Sequence, residues 1–223
     1  KYPSKELFFN LSYQTYNTYM NAATYPMMTS YPIGSLSEDQ LLKYAGEDGV
    51  AAYGTLMYVE FIFISAFIGY AIGSAPIISY HFGADNHAEL KNMLKKSLIL
   101  MSLAGVAMLI ISEALAFPLA HIFVGYDEKL LEMTVHGFRV FSLMFPLASI
   151  NIFASSFFTA LNNGGVSAAI SFLRTFVFKL AAVLILPLLF KLDGIWWATI
   201  VAELFAFLLS IGFVAAKKKK YGY

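Results

Sequence analysis

This sequence predicts an all-α integral membrane fold, a bundle of six transmembrane helices, and three observations carry that prediction. Hydrophobic residues make up 59% of the 223-residue chain and charged residues only 13%, against about 25% charged in a soluble domain. Long uncharged or singly charged runs recur along the chain, each near or above the ~20 apolar residues that cross a hydrocarbon core. The lysines are sorted onto alternate connections between those runs. Net charge is only +1 and cysteine is absent. A global basic field for nucleic acid, a disulfide framework and a thiolate metal site are therefore excluded.

The first span, 7–33, has no formal charge but is rich in Tyr, Asn, Thr and Ser, and Pro26 and Pro32 fall inside it, where proline breaks a helix interior. A polar loop, 34–49, follows with Glu38, Asp39, Glu47 and Asp48. The second span, 50–78, has Glu60 as its only formal charge. A basic loop, 79–96, leads through Lys91, Lys95 and Lys96 into the third span, 97–124, which carries Glu113 and Pro118. Residues 126–139 set Leu130, Leu131, Met133 or Thr134, and Phe138 at helical spacing, opposite Asp127, Glu128 and Glu132. That amphipathic pattern predicts a short helix lying in the membrane interface.

The fourth span, 140–161, holds Pro146 and Asn151; Pro146, like Pro76, Pro118 and Pro187, reads as a helix bend that shapes a transport path or as a packing kink. The tight turn Asn162-Asn-Gly-Gly165 suits residues that tolerate positive φ. The fifth span, 166–190, is interrupted by Arg174, Lys179 and Pro187; Lys191-Leu-Asp-Gly194 is a second tight turn, and the sixth span, 195–216, is charged only at Glu203. A basic tail, 217–223, closes the sequence. With six crossings, Lys1, Lys5, Lys91, Lys95, Lys96 and the four lysines of 217–220 share one side, against Lys43, Lys129 and Lys191 on the other. The positive-inside bias then puts both termini in the cytoplasm, in a multi-pass protein of the cell membrane. No basic–apolar–small cleavage pattern is visible at the start, and a chain beginning at Lys1 reads as a piece of a longer one.

Charges inside apolar spans mark the candidate site, because they are costly in lipid and face a bundle interior or a watery path. Glu60 is read as an ion- or proton-exchanging group or as a carboxyl hydrogen-bonded between helices, and Glu203 takes the same two readings. Arg174 and Lys179 lie five apart on one helix and share a face only loosely; Arg174 reads as an anchor or a structural pair, and Lys179 as a snorkelling group or a neutralising partner. Tyr58, Glu60 and Asn151 are the candidates for a substrate or ion pathway, with Glu203 and Arg174 behind them. Glu113, near the end of its span, reads as interfacial. Gly69 and Gly73 form a small-xxx-small pair that permits close helix contact. The four histidines, at 81, 87, 121 and 136, lack ligand spacing. Nothing resembles a nucleophile elbow or a phosphate loop. An enzyme with a catalytic residue, a bound metal or a cofactor is not expected.

Two loop motifs extend this reading. Ala45-Gly-Glu-Asp-Gly-Val-Ala-Ala-Tyr-Gly54 precedes Gly69-Tyr-Ala-Ile-Gly-Ser-Ala-Pro-Ile-Ile-Ser-Tyr-His-Phe-Gly-Ala-Asp-Asn86. Together with Glu89-Leu-Lys91, Ala160-Leu-Asn-Asn-Gly164 and Ser171-Phe-Leu-Arg-Thr-Phe-Val-Phe178, they resemble the multidrug and toxic compound extrusion (MATE) family over roughly 40–216. The resemblance is to the C-terminal half. It implies one six-helix lobe, 1–223, of a twelve-helix transporter, facing an N-terminal half across a central cavity. It implies efflux of cationic or amphipathic drug-like compounds driven by inward Na⁺ or H⁺, with no cofactor beyond that coupling ion. Two departures stand out. Some members hold a cation with acids in the first and fourth helices of this half; here the first span has no acid after Glu6 and the fourth offers only Asn151. The 13–39 segment is also unusually rich in Tyr and Pro. The alternatives are a flippase for a lipid-linked saccharide, for which only Arg174 and Lys179 would hold pyrophosphate, and a non-transporting membrane scaffold, which needs no intramembrane charge.

Overall fold

The computed structural model describes residues 23–25, 28–30 and 34–223. Two short strands, β1 (Ala23–Tyr25) and β2 (Met28–Ser30), pair antiparallel with Thr24 opposite Thr29. They correct part of the expected 7–33 helix; the remainder of that span lies outside the described residues. The reason is local: Pro26 cannot continue a helix, and β-branched Thr24 and Thr29 with Tyr25 favour the pleat.

Helix α1 (Gly34–Gly83) is interrupted at Gly46, whose φ of 66° and ψ of −157° lie outside the helical region. Only glycine takes that conformation without strain, which accounts for Gly46 within the Ala-Gly-Glu-Asp-Gly loop. The apolar part, Gly46–Gly83, is 38 residues long and so is α2 (His87–Val124). Each exceeds the ~30 Å of a hydrocarbon core. Pro76 and Pro118 sit inside these helices without ending them. Helices α3 (Glu128–Ser142) and α4 (Phe145–Ala160) form a pair bent by 47°. The span expected over 140–161 is bent at its proline: Pro146, in the first turn of α4, has no N–H to return to the Ser142 carbonyl, so the helix breaks before it. The helix expected over 126–139 corresponds to α3, which buries Leu130, Thr134, Phe138 and Phe141.

Three helices begin on the same device. The side chains of Asn86, Asp127 and Asn163 accept from the backbone N–H groups of Glu89, Leu130 and Val166, three residues on. Each satisfies a donor that the helix itself leaves open. Two preceding residues, Asp85 and Asn162, take φ of 51° and 55°, a conformation that short polar side chains support.

The last stretch runs α5 (Gly164–Phe172), a π-helical turn at Leu173–Phe178, and α6 (Lys179–Tyr221). Apolar helix covers 58 residues, Gly164–Tyr221, about 87 Å if straight. It is not straight. Lys191 has φ 53° and ψ −125°, and a Cβ on Gly194 would collide with the Leu186 carbonyl, which lies about 12 Å away along an unbroken helix. The chain reverses at Lys191, so Ala182 and Val183 pack against Ala198 and Ala202. Three helices are apolar and long enough to cross a membrane, four counting the bent pair, and the folded third supplies two limbs. The described residues therefore hold counterparts of five of the six expected spans.

The interior is aromatic: Phe67, Phe145, Phe153, Phe157, Phe158 and Trp196 are fully buried. The outer surface is apolar as well, with Ile99, Leu103, Ile110, Ile122, Leu188 and Leu189 exposed, as lipid solvation requires and water would penalise. Helices meet through small residues. A Cβ on Gly105 of α2 would lie 2.7 Å from Pro146 Cα and from Ser149 Oγ. Hydroxyls join neighbouring helices: Ser79 donates to the Ala160 carbonyl (2.9 Å) and Ser156 to the Ala71 carbonyl (3.0 Å). After α6, left-handed Gly222 (φ 72°) turns the chain so that the Tyr223 ring meets Phe157 edge-on at 5.2 Å. The Tyr223 hydroxyl donates to the Val214 carbonyl at 3.0 Å. His87 Nδ1 donates to the Tyr221 carbonyl at 3.0 Å.

Two outcomes follow from this packing. Gly105→Val pushes α2 off Pro146 and lowers stability by about 1–3 kcal/mol, read as a fall in the thermal unfolding midpoint of the detergent-solubilised protein. Burial, with the Tyr221 ring beside it, pushes the Tyr223 phenol from 10.0 up to about 12. The neutral phenol is the form held in the fold, so its contribution is complete below pH 10 and lost as pH rises toward 12. A phenolate absorbance titration compared with Tyr223→Phe checks this; a group titrating near its ordinary value contradicts it.

Candidate functional site

The intramembrane charges converge. Glu203, on the second limb of α6, is 7% exposed, and Asn151 of α4 is fully buried beside it. Asn151 Nδ2 donates to the Glu203 backbone carbonyl at 3.0 Å and to its Oε2 at 2.8 Å. Arg174, from the π-helical turn, points Nε at both carboxylate oxygens, 2.8 Å from Oε1 and 2.9 Å from Oε2. Three helical segments thus close on one carboxylate, which an unpaired charge at this depth would not survive. Glu60 and Lys179 lie within electrostatic reach of each other and of Arg174 and Glu203, and Tyr53 lies beside Lys179. Two carboxylates face two cations, so the cluster is charge-balanced.

The π turn decides this arrangement. It closes i→i+5 rather than i→i+4, with Arg174 inside it and Lys179 the residue that follows it, both within electrostatic reach of Glu60 and Glu203. Of the residues singled out from the sequence, Glu60, Asn151, Glu203 and Arg174 are brought together. Tyr58 is not: it is 50% exposed and stacks on Phe123 at 6.2 Å. Glu113 accepts a 2.6 Å hydrogen bond from Ser142 Oγ. Sequence reasoning missed Tyr53, which no charge marks, and a hydroxyl cluster between α4 and α5. In that cluster Ser155 Oγ lies 3.0 Å from Ser167 Oγ and 2.7 Å from Ser171 Oγ, and Thr159 joins it through Ser167. The alternation of Ser and Thr at helical spacing was its only signal. Among the described residues no group of three or more His, Asp or Glu converges to hold a metal ion.

A bent, small-residue-packed, apolar-surfaced helical bundle with a buried charge cluster is a membrane-protein fold in class, and the comparisons give its family. The family model described as MatE matches residues 40–185, well over half of the sequence. The chain belongs to the MatE family, whose members are multi-pass membrane transporters rather than enzymes. It is 23% identical over 185 residues to the probable multidrug resistance protein YoeA of Bacillus subtilis (strain 168), covering 79% of this chain and 39% of that protein. This chain therefore spans about two-fifths of that relative's length. The outward-facing conformation of a multidrug resistance MATE family transporter of the MOP superfamily superposes with a TM-score of 0.75 at 18% identity, covering 83% of this chain and 43% of that one. A MOP superfamily transporter from Pyrococcus furiosus Vc1 (DSM3638), described as having a binding pocket of reverse polarity, gives 0.77 at 16% identity, covering 85% and 43%. The Vibrio cholerae MATE transporter VcmN in its bent form gives 0.73 at 18%, covering 84% and 43%. These likenesses concern the fold.

The ion pair predicts a thermodynamic cycle. Arg174→Gln or Glu203→Gln alone strands a buried charge and destabilises by about 3–5 kcal/mol. Arg174→Gln with Glu203→Gln removes both charges and costs less than the sum of the two single losses. Thermal unfolding of the three variants in detergent checks this, and additive losses contradict the pairing.

Proposed function

We propose that this chain is the C-terminal six-helix lobe of a twelve-helix secondary active transporter, paired with an N-terminal lobe. It exports cationic or amphipathic drug-like molecules by alternating access between the lobes, coupled to inward H⁺ or Na⁺. The protein sits in the plasma membrane with both termini cytoplasmic, as the lysine distribution favours.

The observation that carries this reading is the division of labour between the two intramembrane carboxylates. Glu203 is saturated by Arg174 and Asn151 and serves as the structural pivot. Glu60, in the same electrostatic neighbourhood, has no hydrogen bond or ion pair among the described residues, which leaves it available to exchange a proton or cation. A carboxylate that changes its charge beside Lys179 alters how the fifth and second spans attract each other, and that is a lever for switching access. The balanced charge also favours drug export over a flippase, since a pyrophosphate needs a net positive cavity. Glu60→Gln in the full-length protein is expected to lower dye efflux from cells at least tenfold and to flatten its dependence on external pH or Na⁺. Unchanged efflux with unchanged ion dependence would sink the assignment.

A further inference from the structure

Arg174 uses only Nε on Glu203. Its two Nη groups, the other four of a guanidinium's five donors, meet no acceptor among the described residues. The guanidinium is planar and rigid, so fixing Nε against Glu203 also fixes the direction of the Nη edge. Lys179 Nζ, at the start of the helix that follows the π turn, likewise makes no hydrogen bond or ion pair among the described residues. Unfilled charged donors within an apolar span are costly, and here two lie five residues apart on consecutive helical segments. Arg174 sits in a π-helical turn, a distortion found disproportionately at functional sites, and Lys179 follows it directly. Beside them the buried Asn151 Oδ1 has no partner, so the cluster is unfinished on the acceptor side too. Glu203 and Glu60 balance the two cations without filling their N–H bonds.

We infer that Arg174 and Lys179 form a subsite for an acceptor group of the transported molecule: one carboxylate, sulfonate or phosphate on an amphipathic body. This rests on the transport reading above. Arg174 presents a planar pair of N–H groups matched to two oxygens of one such group, and Lys179 adds a mobile third contact. Because Glu60 and Glu203 already neutralise the pair, a singly charged head fits and a pyrophosphate does not.

The test uses two dyes of one body in the full-length transporter reconstituted into phosphatidylcholine vesicles: rhodamine B, which carries a carboxylate, and its ethyl ester, which lacks that negative charge. The wild type is expected to show the lower KM for rhodamine B, and Lys179→Gln to shrink the ratio of the two KM values about tenfold, the size of one charge-assisted hydrogen bond. Lys179→Arg restores the ratio. Equal loss for both dyes, or a wild type that does not distinguish them, overturns the subsite. Fluorescence anisotropy of the same dyes on purified protein separates the two readings. A binding difference that depends on Lys179 without any transport supports the subsite and overturns the export reading. Transport of both dyes with no binding difference does the reverse. Adding phosphatidylglycerol distinguishes the source of the acceptor. Competition with rhodamine B that Lys179→Gln abolishes supports a subsite filled by a lipid headgroup, and absence of competition supports one filled by a soluble substrate.

Discussion

The Glu203 carboxylate is the constraint on which this lobe depends. It lies inside an apolar bundle, where an uncompensated charge is not tolerated, and its compensation comes from two other segments: Arg174 of the π turn and Asn151 of α4. Arg174 and Glu203 are 29 residues apart, about 43 Å along a continuous helix. The pair exists only because the chain reverses at Lys191. Ion pair and reversal support each other, the pair holding the limbs together and the close approach of Gly194 to Leu186 leaving no room for another path.

Around that pivot, lipid sets the rules. Every backbone group must find a partner within the protein, so irregular backbone is confined to short caps and turns where Asn86, Asp127 and Asn163 accept the open N–H groups. Breaks inside the apolar region each have a cause in one residue: Pro146 at the α3–α4 bend, Gly46 at the entry to the long first helix. With little hydrophobic drive between helices in lipid, association rests on close approach at Gly105 and on hydroxyl donors such as Ser79 and Ser156. The exposed isoleucines and leucines of α2 and α6 are the lipid-facing surface of the same design.

Much of this was legible from the residues. Spans at 50–78, 97–124, 166–190 and 195–216 each fall within a helical segment, because an uncharged run of that length has few alternatives. The loop motifs were also sufficient to suggest the family. The 7–33 span was misjudged where it is described, since freedom from charge outweighed the prolines in that reading. The bend in the 140–161 span falls at a proline the sequence marks, since Pro146 lacks the donor that would return to Ser142; the position of the break, before Phe145 rather than mid-span, is set by packing. At the site, Glu60, Asn151, Glu203 and Arg174 were singled out by the cost of burying them. Tyr58, also singled out, faces outward, because helical phase relative to neighbours is not encoded in spacing alone.

The sequence by itself determined that the chain is membrane-embedded and helical, and which polar residues had to be accounted for, since hydrocarbon penalises charge and open backbone wherever they occur. Only the tertiary structure decided which of those residues meet. The turn at Lys191–Gly194 is marked in the sequence, but the strained backbone of Lys191 (φ 53°, ψ −125°) and the six-residue π turn are held in place by packing and charge pairing across distant segments.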